Sequence, residues 1–98
     1  MKNLTSTRWC FTLNNYTPEE GISLGEMPCK YMILGKEIGK NGTPHLQGYV
    51  ILHKNARLSG MKKLQSRAHW EIAKGSTEEN IAYCSKEGDF YEVGSRPV

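Results

Sequence analysis

From Arg8 to Asn14 the chain alternates, with Trp9, Phe11 and Leu13 on one side and Arg8, Cys10, Thr12 and Asn14 on the other. A period of two is that of a half-buried strand. Asn15 to Thr17 turn, and Thr17-Pro18-Glu19-Glu20 starts a helix, with proline at its first position and acids in its first turn; Gly21 and Gly25 keep it short. Lys30 to Glu37 predicts a second strand, 39–44 a glycine-containing turn and His45 to His53 a third strand, so the two strands should pair as a hairpin. Arg57 to Gln65 spaces Leu58, Met61 and Leu64 by three, with Lys62 and Lys63 directed away, as in an amphipathic helix lying on a sheet. Ala68 to Lys74 predicts a fourth strand, broken by Gly75. Ser76-Thr77-Glu78-Glu79 then opens a helix like a capping box, running to about Lys86 and ending at Gly88. Phe90 to Val93 predicts a last short strand, and 94–98 the beginning of a linker.

Strand, short helix, strand, strand, helix, strand, helix, strand is the order of an α+β protein: a central antiparallel five-stranded sheet with flanking helices, ferredoxin-like or RRM-like. Several single-strand nucleic-acid binders use such sheets. The 98 residues, 38% apolar and 23% charged, suit one domain with a small core, without internal repeats or low-complexity segments. So small a core places any site on the sheet surface, shallow and wet. A net charge of +3 is compatible with a polyanionic partner but decides little. Cys10, Cys29 and Cys84 are widely spaced and form no C-x-x-C pair, which argues against a disulfide framework or zinc knuckle and for a reducing, intracellular setting. No stretch approaches the ~20 apolar residues that span a bilayer, and neither secretion nor membrane insertion is expected.

Chemistry concentrates in two places. On a strand His45 and Gln47 share a face, and Glu37, eight residues before His45, sits near the end of the paired strand. All three converge if the register is right; otherwise a bulge at Gly35 or Gly39 is needed. One carboxylate, one imidazole and one amide oxygen suit Mg²⁺ or Mn²⁺ better than a closed zinc site. On spacing alone, His45 and Gln47 are more simply polar residues of a solvated strand face. Tyr83 and Lys86 lie one helical turn apart, and a phenol of pKa about 10 needs such a cation to attack as phenolate. A lone helical tyrosine is more often an ordinary aromatic. A metal that polarises a phosphate and a phenol that attacks it would together cut a nucleic-acid strand.

Arg8, Lys36, Lys40, Arg57, Lys62, Lys63, Arg67 and Lys74, interleaved with Trp9, Tyr49 and Trp70, suggest a positive surface with stacking rings. An ordinary solvated face explains the charges equally well, and Trp9 and Trp70 fit a core better. His69 and Glu71 share a face of the fourth strand, near a substrate or simply paired. His53 has no evident role. G-x-x-x-x-G-K-[ST], G-x-G-x-x-G and H-E-x-x-H are all missing.

Three blocks, Phe11-Thr12-Leu13-Asn14-Asn15, Thr43-Pro44-His45-Leu46-Gln47-Gly48-Tyr49 and Tyr83-Cys84-Ser85-Lys86-Glu87-Gly88, together resemble motifs I, II and III of the replication initiators of circular single-stranded DNA viruses of the circovirus and nanovirus type. These are HUH endonucleases, and the resemblance covers essentially the whole chain. It implies an endodeoxyribonuclease and nucleotidyltransferase that nicks and joins single-stranded DNA at a stem-loop origin and starts rolling-circle replication. It implies Glu37, His45 and Gln47 as ligands of Mg²⁺ or Mn²⁺, Tyr83 as the nucleophile that becomes linked to the 5′ phosphate, and Lys86 as the motif III lysine. Phe11 to Asn15 would recognise origin DNA, and Arg8, Asn14, Asn15, Arg57, Lys62 and Lys74 are candidate DNA contacts. Gln47 stands where the HUH name has its second histidine. Relatives of this type carry a downstream helicase domain not found in this chain, act in the host nucleus and do not insert in membranes. The isolated nuclease domain should be monomeric, with higher assembly a matter for the intact protein. Two rivals stay open: a noncatalytic single-strand binder of RNA-recognition type, whose lysine-or-arginine, glycine, aromatic run is missing here, and a protein-interaction domain.

Overall fold

A computed structural model describes residues 4–97, so the end of the linker expected at 94–98 lies outside the described residues. In chain order the elements are β1 (Thr5–Asn14), α1 (Pro18–Gly25), β2 (Tyr31–Ile38), β3 (Pro44–Arg57), α2 (Leu58–Leu64), β4 (His69–Ile72), α3 (Thr77–Cys84) and β5 (Phe90–Gly94). The strands form one antiparallel sheet in the order β4-β1-β3-β2-β5. Since β1 and β2 both run against β3, α1 connects two parallel strands with one strand between them. Helix α2 does the same from β3 to β4 across β1. These interlocked split βαβ units are the ferredoxin-like plan, and β5 extends the sheet beyond β2.

The alternation in β1 sorts residues between two unequal layers. Trp9, Phe11 and Leu13 join Met32, Leu34, Leu46, Val50, Leu52 and Trp70 of β4 on the face covered by Leu24 and Met27 from the α1 region and Met61 of α2. This is the main core, and Trp9 and Trp70 are only 2% and 4% exposed within it. Behind the sheet, Tyr31, Ile33 and Tyr49 pack with Ala73 and Cys84, flanked by Ile81 of α3, in a smaller second cluster. Strand β3 is thus packed on both faces only where α3 covers it. Gly48 belongs to the main core because a Cβ there would lie 2.0 Å from the Phe11 ring. That ring rests on bare backbone and meets Trp70 at a centroid distance of 4.9 Å.

Both expected helix starts form capping boxes. Thr17 Oγ1 accepts from the Glu20 amide at 3.1 Å while the Glu20 carboxylate accepts from the Thr17 amide at 2.9 Å. Ser76 and Glu79 repeat the arrangement at 3.1 and 2.8 Å, so each satisfies orphan amides at its helix start. The ends depart from expectation. Strand β3 runs past His53 to Arg57, because the start of β1 offers it a partner: Thr5 and Ser6 pair with Arg57 and Ala56 beyond a register shift before Arg8. Helix α2 therefore begins at Leu58. Strand β4 is confined to His69–Ile72, although the Ala73 amide still donates to the Arg8 carbonyl at 3.0 Å. Helix α3 stops at Cys84, before Lys86, where the Ser85 hydroxyl donates to the Ile81 carbonyl at 2.7 Å. Gly88, at φ 81°, serves the following turn and not the helix end. Substituting Gly48→Ala should lower the unfolding free energy by about 1–3 kcal/mol, read as a reduced urea midpoint; an unmoved midpoint would contradict the seating of Phe11 on that glycine.

Candidate functional site

Strands β2 and β3 pair without interruption, Glu37 opposite His45 and Gly35 opposite Gln47. Glu37, His45 and Gln47 therefore leave the same face, and no bulge at Gly35 or Gly39 is involved. Across β1 the next neighbours on that face are Asn14 beside His45 and Thr12 beside Gln47.

Gly35 has a different purpose. A Cβ at this position would come within 1.9 Å of the Cys84 carbonyl oxygen, so the last turn of α3 sits directly on β2, two residues from Glu37. A glycine inside an otherwise bulky strand is the sequence signal for such a close backbone approach. The other end of α3 is tied down by a buried phenol. Tyr49 Oη shares a 2.8 Å hydrogen bond with Thr77 Oγ1 and accepts from the Arg8 guanidinium at 3.2 Å, and Arg8 also donates to the Gly75 carbonyl at 3.0 Å.

Thus seated, α3 and the turn that follows it bring Tyr83 and Lys86 to the acid. The Lys86 ammonium is ion-paired with Glu37 Oε2, lies 3.8 Å from the centroid of the Tyr83 ring and donates to the Tyr83 carbonyl at 3.3 Å. His45 Nε2 is 3.0 Å from the other carboxylate oxygen, Oε1. Glu37 is the sheltered member, its side chain 9% exposed, whereas Tyr83 is 54% exposed. Burial pushes the Glu37 pKa upward, but hydrogen bonds from Lys86 and His45 and their charges outweigh it and hold the carboxyl below its ordinary value. Gln47 stands slightly apart. Its amide oxygen accepts from Thr12 Oγ1 at 3.2 Å and its amide nitrogen donates to the Phe11 carbonyl at 3.4 Å, so it leans on β1 and makes no bond to Glu37 or His45. Among the described residues no three His, Cys, Asp or Glu side chains gather as a metal site; the third donor of this group is an amide.

Cys84, next to Tyr83 in the chain, is a poor nucleophile where it lies. Burial, reinforced by nearby Cys10, pushes its thiol up to about 12.

The other candidates are dispersed. Lys62 donates to the carbonyls of Ser66 and Ala68, at 3.3 and 2.8 Å, closing the loop from α2 to β4. Arg67 is paired with Glu20 at 2.7 Å. Arg57 and Lys74 border a groove lined by Leu4, Leu58, Trp70 and Ile72. Lys36 lies 5.9 Å from the Tyr91 ring centroid. Asn15 adopts φ 55° and its amide donates to the Pro44 carbonyl at 2.7 Å, fastening the end of β1 to the start of β3. Trp9, Trp70 and the Tyr49 ring are buried, so none is a stacking platform. His69 and Glu71 pair at 2.6 Å beside a small hollow that Thr12 and Gln47 also line. Sequence reasoning missed the Arg8–Tyr49–Thr77 anchor, since nothing in the spacing of those residues announces a bond across 41 and 28 positions.

Fold and site together describe a small α+β protein with its polar centre at the open end of a ferredoxin-like sheet. Residues 6–87 match the family described as "Putative viral replication protein", and the chain belongs to this family of replication initiators of circular single-stranded DNA viruses. It is 52% identical over 96 residues to the replication-associated protein of canary circovirus, covering 93% of this chain and 32% of that protein. Identity is 56% over 85 residues to the replication-associated protein of beak and feather disease virus, covering 84% and 29%. Against Para-Rep C2 of Milk vetch dwarf C2 alphasatellite it is 47% over 98 residues, covering 94% and 35%. The chain spans about a third of the length of these relatives.

The ion pair has a titration signature. A carboxyl whose folded pKa lies below its ordinary value of 4.5 adds stability that is present above 4.5 and lost as the pH falls through the folded value. Replacing Lys86 with Ala should raise the Glu37 pKa and shrink this part of the acid sensitivity. Carboxyl ¹³C NMR titration of the two proteins measures it; identical Glu37 midpoints would mean that the pair does not form in solution.

Proposed function

We propose that this chain acts in viral replication by nicking and joining single-stranded DNA at a stem-loop origin, as the nuclease domain of a longer initiator. The observation that supports this most is the Lys86 ammonium, which touches the Glu37 carboxylate and the Tyr83 ring at once and so sets a reactive phenol beside an acid–imidazole pair.

Tyr83 Oη attacks the phosphorus of the scissile phosphodiester, forming the new P–O bond as the bond to the 3′ oxygen breaks. The phenol proton passes to solvent base, and the departing oxygen takes up a proton to become a 3′ hydroxyl. The product is a 5′-phosphotyrosine ester, similar in energy to the bond broken, so attack by a 3′ hydroxyl on that ester rejoins an end. Lys86 sets a positive charge against the Tyr83 ring, and its three donors can also meet phosphate oxygens. The exposure of Tyr83 at the sheet surface leaves room for an extended strand to approach.

The donor chemistry fits a hard divalent ion: Glu37 is held ionised, His45 offers a ring nitrogen and Gln47 an amide oxygen on the same face. Mg²⁺ or Mn²⁺ held by these three would supply Lewis-acid charge to the non-bridging phosphate oxygens. Asn14, next to His45 across β1 and β3, and Asn15 are suited to contact the strand near the site. Arg57 and Lys74 suit DNA farther along the surface, whereas Arg8 and Lys62 act mainly by holding α3 and the α2–β4 loop. A noncatalytic binder of RNA-recognition type would need exposed rings on its central strands, and those of Trp9, Phe11 and Tyr49 are buried.

Two substitutions test this reading with a labelled origin-like oligonucleotide, Mn²⁺ and a denaturing gel. Tyr83→Phe should abolish the covalent adduct while leaving DNA affinity within about twofold, since it removes one hydroxyl of no structural role; an adduct surviving that change would refute the nucleophile. His45→Ala should slow cleavage by roughly 100-fold. Equal rates in the two proteins, or undiminished cleavage in excess chelator, would remove the divalent ion from the mechanism.

A further inference from the structure

Both oxygens of Glu37 are already engaged, Oε1 by His45 at 3.0 Å and Oε2 by the Lys86 ammonium. The carboxylate is sheltered, with 9% of its side chain exposed, while the lysine is 36% exposed. A carboxylate so enclosed is costly to leave without a positive neighbour, so a cation leaving Oε2 must be replaced by another. The ammonium is a compact charge on a flexible four-carbon stem, able to leave where the planar fork of an arginine would be more firmly held. It also has somewhere to go, since it already lies 3.8 Å from the Tyr83 ring centroid and 3.3 Å from the Tyr83 carbonyl oxygen.

We propose that Lys86 and the divalent ion compete for the Glu37 carboxylate, so that loading the site expels the lysine from the acid toward the phenol. The inference rests on the metal role given to Glu37 above. Before loading, Lys86 acts as a stand-in cation paired with the acid. Once a divalent charge occupies the same oxygen, ammonium and ion repel, and the ammonium is free for the Tyr83 oxygen or an incoming phosphate. Linkage makes this reciprocal: whatever draws Lys86 away, a bound DNA phosphate included, must tighten binding of the ion by the same factor. Tyr83 would thus acquire its cation when the acid acquires its own.

The competition predicts effects of opposite sign from one substitution. Lys86→Met keeps most of the stem and removes the charge. It should bind Mn²⁺ on the order of three- to tenfold more tightly than the parent by calorimetry, without DNA present, and yet form less covalent adduct. In the parent, Mg²⁺ saturation should shift the Lys86 side-chain ¹⁵Nζ resonance, a readout that needs no variant to fold. Unchanged or weaker Mn²⁺ affinity in Lys86→Met, or a Lys86 resonance indifferent to Mg²⁺, overturns the competition. A Glu37→Gln variant separates the two readings. If the parent binds Mn²⁺ and Glu37→Gln weakens it, the ligand assignment stands and only the competition is at stake; if the parent binds none, or Glu37→Gln binds equally well, both fall.

Discussion

The site depends on the missing side chain of Gly35. Any Cβ there would collide with the Cys84 carbonyl, and α3 would have to shift off β2 to relieve the contact. Lys86 would lose its reach to Glu37, and Tyr83 would move with it. A backbone-to-backbone contact is well suited to this duty, because it has no rotamers and cannot slacken by side-chain motion. At the opposite end of the helix the restraint is of another kind, a buried phenol that accepts from Arg8 and shares a hydrogen bond with Thr77. One end is fixed by shape and the other by polarity, so α3 is held against both tilt and translation.

The two layers divide the labour. The main core, with the Phe11 and Trp70 rings and most of the large apolar side chains, lies on the face away from Tyr83 and supplies most of the burial. The face that carries Glu37, His45 and Gln47 keeps only the small cluster beneath α3 and is otherwise open. Polar side chains there are thereby placed on rigid paired strands without being sealed from solvent. A carboxylate that is sheltered beside a phenol that is exposed is the result.

Much of this was legible in the chain. The alternation of β1, the helix-start residues of α1 and α3, and the hairpin turn each follow local rules, and the structure bears them out within a few residues. The ends were less legible because they depend on distant partners: β3 runs on to Arg57 only because Thr5 and Ser6 lie alongside it, and no local signal in 54–57 encodes that. The convergence of Glu37 with His45 required a register that periodicity alone leaves undetermined. The hydrogen-bond partners of Arg8 and Lys62 were the least legible, since a basic residue on a small domain looks the same in sequence whether its donors face solvent or the carbonyls of Gly75 and Ala68.

The thiols beneath α3 have a practical meaning. Cys84 is 3% exposed and its thiol is pushed up to about 12, and Cys10, half-buried on β1, is raised as well by burial and by Glu71. While the helix stays seated, Cys84 is protonated and out of reach of an alkylating reagent. Its modification must await a fluctuation that unseats the helix, so the labelling rate of Cys84 is a native clock for how often the segment carrying Tyr83 comes loose.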